Sequence, residues 1–452
     1  MSKTAALRAE GEAWLAAHPD TRHVDAFLID LCGAAFGKRH PAGDLPGLMA
    51  EGSSMCAAMH LTDVNGVAWD TAGRGFSDGD PDAPVAAIPG TLAPVPWALE
   101  PRAQVLMRFW DGGPLWYEPR TVLERVVERF SELGLTPVVA VELEFYLIDA
   151  ARAADGGPLP PAAPASGRRP VAGRVFSLDE LDAYGPVIDA IEAACRAQGL
   201  PVTTLAKEYG AGQYEINLAH LADPVAAADH AALLRRAVVG TARARGLDAT
   251  FMSKPFAQQS GSGLQINLSF ADGDGANAFD ATRPDGDLRL GHAVAGMQAM
   301  LAETMAIFAP NLHAYRRFEP DQFTPVTTDW GVNNRSVAFR VPASAPADRR
   351  IEHRAAGAEA NPYLVMAAVL AAAHYGLTAK LSPTPAATGN AGAEVDPALP
   401  LTLWAALDRM AAAERLPDYF ERRYIDAYTH AKQAEFDAFM AEILPREHEW
   451  YL

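Results

Sequence analysis

The sequence predicts an α+β fold in which helices pack on a curved, antiparallel sheet. Segments that alternate between polar and apolar residues, as strands do, are mixed with segments of helical periodicity, and no strict strand–helix–strand rhythm is present. The chain has 452 residues, 49% of them hydrophobic, which is enough to bury one large core or two unequal ones without disulfides. We expect a small N-terminal domain over residues 1–100 and a large domain over residues 101–452.

The N-terminal part predicts a helix followed by a hairpin. The first residues, MSKTAALRAEGEAWLAAHPD, contain acids and no continuous apolar stretch, so they predict an amphipathic helix and not a signal peptide. Residues 24–40 alternate as a strand, turn at Gly33 and Gly37, and resume, which predicts a hairpin. Residues 77–101 are rich in Pro, Gly and Asp and predict a loop at the domain boundary.

Three helical and three strand segments are predicted in the large domain from the spacing of their apolar residues. Residues 151–172 are rich in Ala, Pro and Gly, lack periodicity, and predict a mobile surface insertion. The predicted helices span residues 120–135, 181–198 and 224–245, and the predicted strands span residues 138–148, 213–220 and 263–270.

Composition excludes two kinds of partner and indicates a compartment. A formal charge of −18 would repel a phosphate backbone, and no basic run exceeds Arg349–Arg350, so nucleic acid is not an expected partner. The Ala-rich run over residues 366–375 is too short to span a membrane. The three cysteines, Cys32, Cys56 and Cys195, are odd in number and widely spaced, which favours a reducing cytoplasm.

Two separated pairs of glutamates suggest a cation site. Glu142 and Glu144 are two residues apart on a predicted strand, so both carboxylates point to the same face. Taken alone, this pattern is also ordinary for a half-buried strand. Glu208 precedes a Gly-Ala-Gly turn, and Glu215 follows the turn on another strand. Several carboxylates on strands suit hard divalent cations, which prefer oxygen ligands.

Six fragments resemble, in order, the motif series of glutamine synthetases: ELEF, EYGAGQYE, KPFAQQSGSGLQIN, NLHAYRR, NNRSVAFRVP and RIEHRAAGAEANPYL. DLCGAAFGKRHP also resembles the N-terminal β-grasp domain of that family, and the last fifty residues resemble its C-terminal helices. The resemblance implies a catalytic domain of the glutamine synthetase and guanidino kinase type. It also implies Mg²⁺ or Mn²⁺, with ATP and glutamate as substrates that react through an acyl phosphate.

The resemblance assigns roles residue by residue. The implied ligands of a first, tighter metal are Glu144, Glu208 and Glu215, and those of a second metal near the phosphates are Glu142, Glu352 and Gln265. The implied glutamate and phosphate contacts, which include the catalytic arginines, are Gly261, Arg317, Arg335 and Arg354. The implied ATP contacts are Asn267, Ser269, Arg340 and Arg350.

Two positions depart from the family in the metal and nucleotide site. Gln265 and Asn267 stand where the family carries histidines, one a metal ligand and the other a nucleotide contact. An amide oxygen can replace a ring nitrogen and suits Mg²⁺ better than Zn²⁺. The alternative is a weakened second metal, and then a catalytically weakened homologue with a binding or structural role.

Other positions bear on the amine. Aligned without gaps, Phe323 stands where ammonium-using enzymes carry a flap glutamate, and an aromatic ring there suits an amine with an organic substituent. The segment WGVNNRSVAFRVP resembles γ-glutamylpolyamine synthetases more than the ammonium-using branch. Glu51 matches an acid that a neighbouring subunit contributes in the family, although an ordinary exposed acid is an equal interpretation.

The leading hypothesis is a cytoplasmic, ATP-dependent ligase that joins glutamate to a primary amine larger than ammonia. The amine could be a polyamine, a monoamine or an ethanolamine-like compound, and the expected assembly is a dodecamer of two hexameric rings. The alternatives are a glutamine synthetase that uses ammonium, a catalytically silent homologue, and a guanidino phosphotransferase. Residues 380–400 contain no tyrosine, so adenylylation of this loop is not expected.

Overall fold

The computed structural model describes residues 2–452 and contains two sheets. The N-terminal sheet has six strands in the order β2-β1-β6-β4-β3, with β5 paired to β6. Only β1 and β6 pair in parallel. Its strands are β1 (His23–Ile29), β2 (Ala35–Pro41), β3 (Ser53–Cys56), β4 (Asp82–Ala87), β5 (Ala93–Pro94) and β6 (Arg102–Phe109). Helices α1 (Lys3–Ala17) and α2 (Leu45–Glu51) pack on it and share its apolar core.

The predicted N-terminal helix and hairpin are confirmed, but one of the two predicted turn glycines is wrong. Gly33 lies in the turn with φ of +80°, a conformation that favours glycine. Gly37 lies inside β2 opposite Phe27, and a Cβ there would come within 2.1 Å of the carbonyl oxygen of Ala26. Glycine is therefore needed at position 37 for close packing and not for a turn.

The N-terminal sheet extends past residue 100. Strand β6 lies in the middle of this sheet, and Phe109 at its end is part of the same apolar core. A division after Phe109 would keep the sheet whole, whereas the predicted division at residue 100 would separate β6 from its partners.

The large domain is built on an eight-stranded sheet in the order β12-β13-β14-β11-β7-β9-β8, with β10 paired to β7. All of its pairs are antiparallel except β12 with β13, which agrees with the predicted fold class. Its strands are β7 (Thr136–Asp149), β8 (Val202–Lys207), β9 (Gln213–Leu218), β10 (Leu247–Thr250), β11 (Leu264–Ala271), β12 (Trp330–Val332), β13 (Phe339–Val341) and β14 (Ile351–His353).

Two of the predicted helices of the large domain, over residues 120–135 and 224–245, are confirmed, and the one predicted over residues 181–198 differs. The helix from Pro119 turns into a 3₁₀ helix at Arg129 and ends at Gly134 in a left-handed conformation. The helix predicted over residues 181–198 is two helices, because the chain breaks at Tyr184. The ten helices are α3 (Pro119–Glu128), α4 (Leu178–Ala183), α5 (Gly185–Ala197), α6 (Pro224–Ala244), α7 (Gly286–Phe308), α8 (Pro362–Ala379), α9 (Leu403–Ala411), α10 (Pro417–Phe420), α11 (Arg422–Met440) and α12 (Pro445–Tyr451).

Helix α8 is the single helix within residues 2–452 that is long and apolar enough to cross a membrane by length and composition. Of its apolar stretch, 78% is buried inside the protein, where it packs against α3, α6 and α7. This burial is typical of a core helix. It is also the reason that α8 is apolar on all sides.

The segment predicted to be a mobile insertion contacts the sheet domain at several points. Ala163 is buried, and the carbonyl oxygen of Pro161 accepts a hydrogen bond of 2.9 Å from the hydroxyl of Tyr184. Arg169 forms an ion pair of 2.6 Å with Asp149 at the end of β7. The segment between β7 and α4 therefore packs against the end of β7 and against Tyr184.

Candidate active site

Strand register brings the predicted carboxylates together on one face of the large sheet. Glu142 of β7 lies opposite Gln265 of β11 on one side and opposite Asn217 of β9 on the other. Two residues farther along β7, Glu144 lies opposite Glu215. Residues directly opposite one another in a sheet share a face, so these side chains converge from three strands.

The same face continues across two more strands. Asn267 of β11 lies opposite Glu352 of β14, which in turn lies opposite Arg340 of β13. Ser269 is two residues beyond Asn267 and shares its face farther along β11. The implied ATP contacts therefore lie on β11 and on the side of the sheet toward β13, whereas Glu208 follows β8 at the edge on the other side.

The carboxylates on this face raise one another's proton affinity. Burial and the negative charge of Glu208 raise the pKa of Glu144 to about 7. Burial, followed by the charges of Glu144, Glu142 and Glu208, raises the pKa of Glu215 well above its ordinary value. Burial and the charge of Glu352 likewise raise the pKa of Glu142. Such crowding of like charges is relieved by a proton or by a cation.

Gln265 links an arginine to a carboxylate. Its Oε1 accepts a hydrogen bond of 3.1 Å from Nη1 of Arg354, and its Nε2 donates to Glu144 Oε1 at 3.4 Å. The same guanidinium donates to Glu352, which is only 2% exposed and also accepts from Arg340 at 2.6 Å. The amide oxygen expected to face a metal is therefore bonded to Arg354 in this arrangement.

Asn267, two residues after Gln265 on β11, also links an arginine to a carboxylate. Nε of Arg350 donates to its Oδ1 at 2.8 Å, and its Nδ2 donates to Glu142 Oε1 at 2.7 Å. Both amides thus turn their oxygen toward an arginine and their nitrogen toward a carboxylate. This polarity is the favourable one for an amide between opposite charges.

A glycine loop and a buried arginine complete the centre of the site. Arg317 is 5% exposed, and a Cβ on Gly261 would lie 2.6 Å from its Cγ, so only glycine fits beside this arginine. The backbone N–H of Gly263 donates to Glu144 Oε2 at 3.0 Å. Burial lowers the pKa of Arg317, while the nearby charge of Glu144 opposes this effect.

Sequence reasoning missed Gln213, which is buried and holds the loop to the sheet. Its Nε2 donates to Glu144 Oε2 at 3.1 Å, to the carbonyl oxygen of Gly261 at 3.0 Å and to Ser262 Oγ at 3.2 Å. Gln213 lies two residues before Glu215 on β9, so the alternation rule alone places both side chains on the site face.

Phe323 is exposed and packs on another aromatic residue that sequence reasoning did not select. Its ring centroid lies 6.0 Å from that of Tyr209, the residue after Glu208, and the two side chains are about half exposed. The carbonyl oxygen of Phe323 lies 3.5 Å from Nη2 of Arg354. The rings therefore bridge two loops beside the carboxylates.

Two of the predicted catalytic residues do not contact this face. Arg335 is exposed, and its positive charge is one of the minor influences that lower the pKa of Glu208, which burial raises overall. Glu51 is exposed at the end of α2, where it pairs with Arg8 at 2.5 Å. The predicted role of Glu51 requires a neighbouring subunit and stays a prediction.

Within residues 2–452, no three His, Cys, Asp or Glu side chains are placed closely enough to hold a metal ion as they stand. Many carboxylate oxygens instead accept from arginine, amide and backbone donors. The glutamate cage is therefore a proposal. The donors on this face are carboxylate and amide oxygens, the set that hard cations such as Mg²⁺ and Mn²⁺ prefer, so the residues fit such an ion.

The fold and this face define an enzyme that acts on anionic substrates, because crowded carboxylates suit a cation and buried arginines suit carboxylate or phosphate groups. Residues 116–451 match the family described as glutamine synthetase, catalytic domain. The chain therefore belongs to the glutamine synthetase family and is a carbon–nitrogen ligase. Enzymes of this family are ATP-dependent and use divalent metal ions.

Several characterised proteins are similar along most of their length. The γ-glutamylputrescine synthetase PuuA of Escherichia coli (strain K12) is 36% identical over 449 residues, covering 99% of this chain and 95% of that protein. The glutamate–isopropylamine ligase of a Pseudomonas species is 32% identical, covering 83% and 84%. A solved structure of apo GmaS is similar with a TM-score of 0.82 and 25% identity, covering 97% and 98%.

Proposed function

We propose that this enzyme joins glutamate to a primary amine larger than ammonia, at the expense of ATP and through γ-glutamyl phosphate. The observation that carries the proposal is the exposed aromatic pair of Tyr209 and Phe323 beside the carboxylates. Phe323 stands where ammonium-using relatives carry a glutamate, so the charge that would attract ammonium is replaced by an apolar surface. The relatives named for putrescine and isopropylamine support this choice.

In the first half of the reaction, a γ-carboxylate oxygen of glutamate attacks the γ-phosphorus of ATP and ADP leaves. Arg317 and Arg354 are buried and can hold the carboxylate and the transferring phosphate through paired hydrogen bonds, while exposed Arg335 can close on the phosphate. Gly261 lets Arg317 pack closely against the loop, and we propose that the loop at Gly261 contacts the glutamate substrate. The ATP contacts proposed on the β11, β13 and β14 side of the face are Asn267, Ser269, Arg340 and Arg350.

A bound divalent cation would neutralise phosphate charge during the transfer. We propose Mg²⁺ or Mn²⁺ because the available donors are oxygens. The residues proposed to hold one ion are Glu144, Glu208 and Glu215, and those proposed to hold a second are Glu142, Glu352 and Gln265.

In the second half, the amine nitrogen attacks the acyl carbon, the bond from this carbon to the phosphate oxygen breaks, and the departing phosphate takes up the proton that leaves the nitrogen. The faces of Tyr209 and Phe323 can attract an ammonium group before it loses its proton, and they give apolar contact to its substituent. Ammonia has no substituent to contact and gains less from these rings.

An amine panel tests the proposal. Phosphate release is measured with the complete enzyme, Mg²⁺, ATP and glutamate, and with ammonium, methylamine, isopropylamine, ethanolamine, putrescine or spermidine. We expect turnover with at least one substituted amine and weak turnover with ammonium. Efficient turnover with ammonium alone would refute the proposal and favour a glutamine synthetase, a function that a 30% identical relative from Mycolicibacterium smegmatis carries in its name.

A matched pair of variants tests the role of the aromatic ring. Phe323→Glu should raise the preference for ammonium over the substituted amine by about tenfold, because it restores a charge to the flap. Phe323→Leu keeps an apolar side chain and should leave ammonium use low. If the two variants change the preference for ammonium equally, the charge at position 323 does not determine which amine is used.

The proposal also covers the compartment and the oligomeric state. We propose a cytoplasmic enzyme whose cysteines Cys32, Cys56 and Cys195 are free thiols. We further propose a dodecamer of two hexameric rings in which Glu51 reaches the active site of a neighbouring subunit. Light scattering measures the assembly. Glu51→Gln should lower amine turnover without changing the assembly, and unchanged turnover would remove Glu51 from the site.

A further inference from the structure

Lys207 is a fully buried lysine at the end of β8, next to Glu208. Its side chain is 0% exposed, although lysine is rarely buried unless it is paired. Nζ donates to the carbonyl oxygen of Gly210 at 2.7 Å and to that of Glu208, and it lies 3.4 Å from a carboxylate oxygen of Glu180. The ammonium group thus donates two hydrogen bonds to main-chain oxygens, and its charge is paired with that of Glu180, whose Oε2 accepts no hydrogen bond.

This arrangement fixes the shape of the turn formed by residues 208–210. Burying an ammonium group costs several kcal/mol unless its donors are satisfied, and here two of the acceptors are main-chain oxygens of one turn. The turn therefore stabilises the buried ammonium group of Lys207, and the ammonium group in turn stabilises this conformation of the turn. A flat guanidinium group is larger and does not fit between two carbonyl oxygens that converge on a single nitrogen, so lysine suits this position better than arginine.

The same turn carries two groups of the proposed active site. Glu208 supplies a carboxylate to the cluster around Glu144 and Glu215, and Tyr209 supplies the ring that packs on Phe323. The turn has little freedom elsewhere, because the side-chain oxygen of Gln213 accepts from the backbone N–H of Gly210 at 2.9 Å. A shift of the turn would therefore move both groups together.

The segment before α4 packs on the turn from outside. A Cβ on Gly173 would lie 2.5 Å from the carbonyl oxygens of Tyr209 and Gly210 and 2.6 Å from Nζ of Lys207. The backbone N–H of Phe176 donates to the carbonyl oxygen of Lys207 at 2.9 Å. This close approach leaves no space into which the turn could relax.

We propose that Lys207 is a positioning residue that sets the turn of residues 208–210 and thereby couples cation affinity to amine selection. Loss of its ammonium group releases two carbonyl oxygens and changes the placement of Glu208 and Tyr209 at the same time. The cation half of this inference rests on the proposed cation site of Glu144, Glu208 and Glu215 and is independent of the amine, whereas the amine half rests on the proposed amine substrate.

The main experiment compares Lys207→Met with Lys432→Met in the full-length enzyme. Lys432 is also buried, at 2% exposure, and bonds Asn311 and Glu435 at 2.8–3.0 Å away from the site face, so it controls for the loss of a buried lysine. Mn²⁺ binding is measured by calorimetry without nucleotide or amine. Groups that orient metal ligands typically contribute 10–100-fold to affinity, so we expect Lys207→Met to raise the Mn²⁺ Kd about tenfold or more and Lys432→Met to change it less than about twofold.

Kinetics separate positioning from general damage. Lys207→Met should raise KM for the amine while KM for ATP stays near that of the wild type, because the ATP contacts lie toward the other edge of the sheet. A folded Lys207→Met enzyme with the wild-type Mn²⁺ Kd would overturn the proposal. If wild-type enzyme proves to use ammonium, the amine half falls while the Mn²⁺ comparison still decides the cation half.

Two milder variants keep the test decisive if Lys207→Met does not fold. Gly173→Ala pushes on the turn without removing charge, and Glu180→Gln removes the negative charge that pairs with the ammonium group. Both should raise the Mn²⁺ Kd in the same direction as Lys207→Met but by less. Wild-type Mn²⁺ affinity in both variants would overturn the proposal.

Discussion

Replacing Glu215 with glutamine should stabilise the metal-free protein and weaken its response to Mg²⁺. Glu215 lies directly opposite Glu144 in the sheet, where Cβ atoms are about 5 Å apart. Two carboxylates about 5.5 Å apart repel by about 3 kcal/mol at an effective dielectric constant near 20. A proton shared by the cluster already relieves part of this repulsion, so we expect a gain of about 1–2 kcal/mol at about pH 8.

The sign of the pH dependence follows from the raised pKa of Glu215. A carboxyl group whose pKa is higher in the folded than in the unfolded state destabilises the fold as the pH rises between the two values. The advantage of Glu215→Gln should therefore be largest at about pH 8 and smallest below about pH 4, where the carboxyl is mostly protonated in both states.

Thermal unfolding with EDTA or with Mg²⁺ measures both effects. A gain of 1 kcal/mol raises Tm by roughly 2–4 °C in chains of 150–250 residues and by less in longer ones, so a rise of about 2 °C is expected in EDTA. Mg²⁺ should raise Tm of the wild type more than that of Glu215→Gln. Glu192→Gln, on the exposed face of α5, is the control. The reasoning fails if Glu215→Gln has no higher Tm in EDTA or responds fully to Mg²⁺.

Three further substitutions test other groups. Gln265→His should move the metal preference of phosphate release from Mg²⁺ toward Co²⁺ or Zn²⁺, because imidazole is a softer ligand than an amide oxygen; an unchanged preference would mean that position 265 is not a ligand. Arg354→Lys should lower kcat/KM for glutamate by about tenfold or more in initial-rate assays. Nη1 of Arg354 holds Glu352 and Gln265 while Nη2 lies near the carbonyl oxygen of Phe323, and a single ammonium nitrogen cannot serve both places. A wild-type value would show that the guanidinium group is not needed. Asp30→Asn should raise Tm more at about pH 7 than at about pH 4, because burial raises the pKa of Asp30 to about 6 and disfavours its charged form; equal shifts would contradict this.

Alternation along single strands predicted which side chains share the site face but not how the strands that carry them pair with one another. The two-residue spacing of Glu142 and Glu144 indicated a shared face, and the structure has that face. The pairing of Glu144 with Glu215 depends on the register between β7 and β9, which are far apart in sequence. Register of this kind is decided by packing of the whole sheet and does not follow from the pattern of one strand.

Side chains outside the alternation pattern were the hardest to predict. Lysine is normally exposed, so nothing local to Lys207 indicated that it would be buried. The pattern predicts a turn at Gly37 because glycine often occupies turns, but this position needs glycine because a Cβ would collide with the carbonyl oxygen of Ala26. Gln213 could have been found by extending the alternation of Glu215 backward, whereas the contact of Tyr209 with Phe323 joins two loops and required the tertiary structure.

The position of Arg354 suggests how cation and glutamate binding are linked. Its guanidinium bridges Gln265 and Glu352, two groups proposed to hold the same metal ion, so a positive charge already lies between them. An oxygen that ligates a cation is a poorer acceptor for Arg354, and we expect cation binding to release this arginine toward the substrate carboxylate. Glutamate should therefore bind more tightly when Mg²⁺ is present.

Gln265→Met tests this linkage by calorimetry with glutamate, with and without Mg²⁺. Methionine keeps the length of the side chain but removes the acceptor oxygen, so Arg354 should be freer without Mg²⁺ and the cation should improve glutamate binding less than in the wild type. Linkage is reciprocal, so glutamate should improve Mg²⁺ binding by the same factor in each protein. An equal effect of Mg²⁺ on both proteins would mean that Arg354 is not the element that joins the two sites.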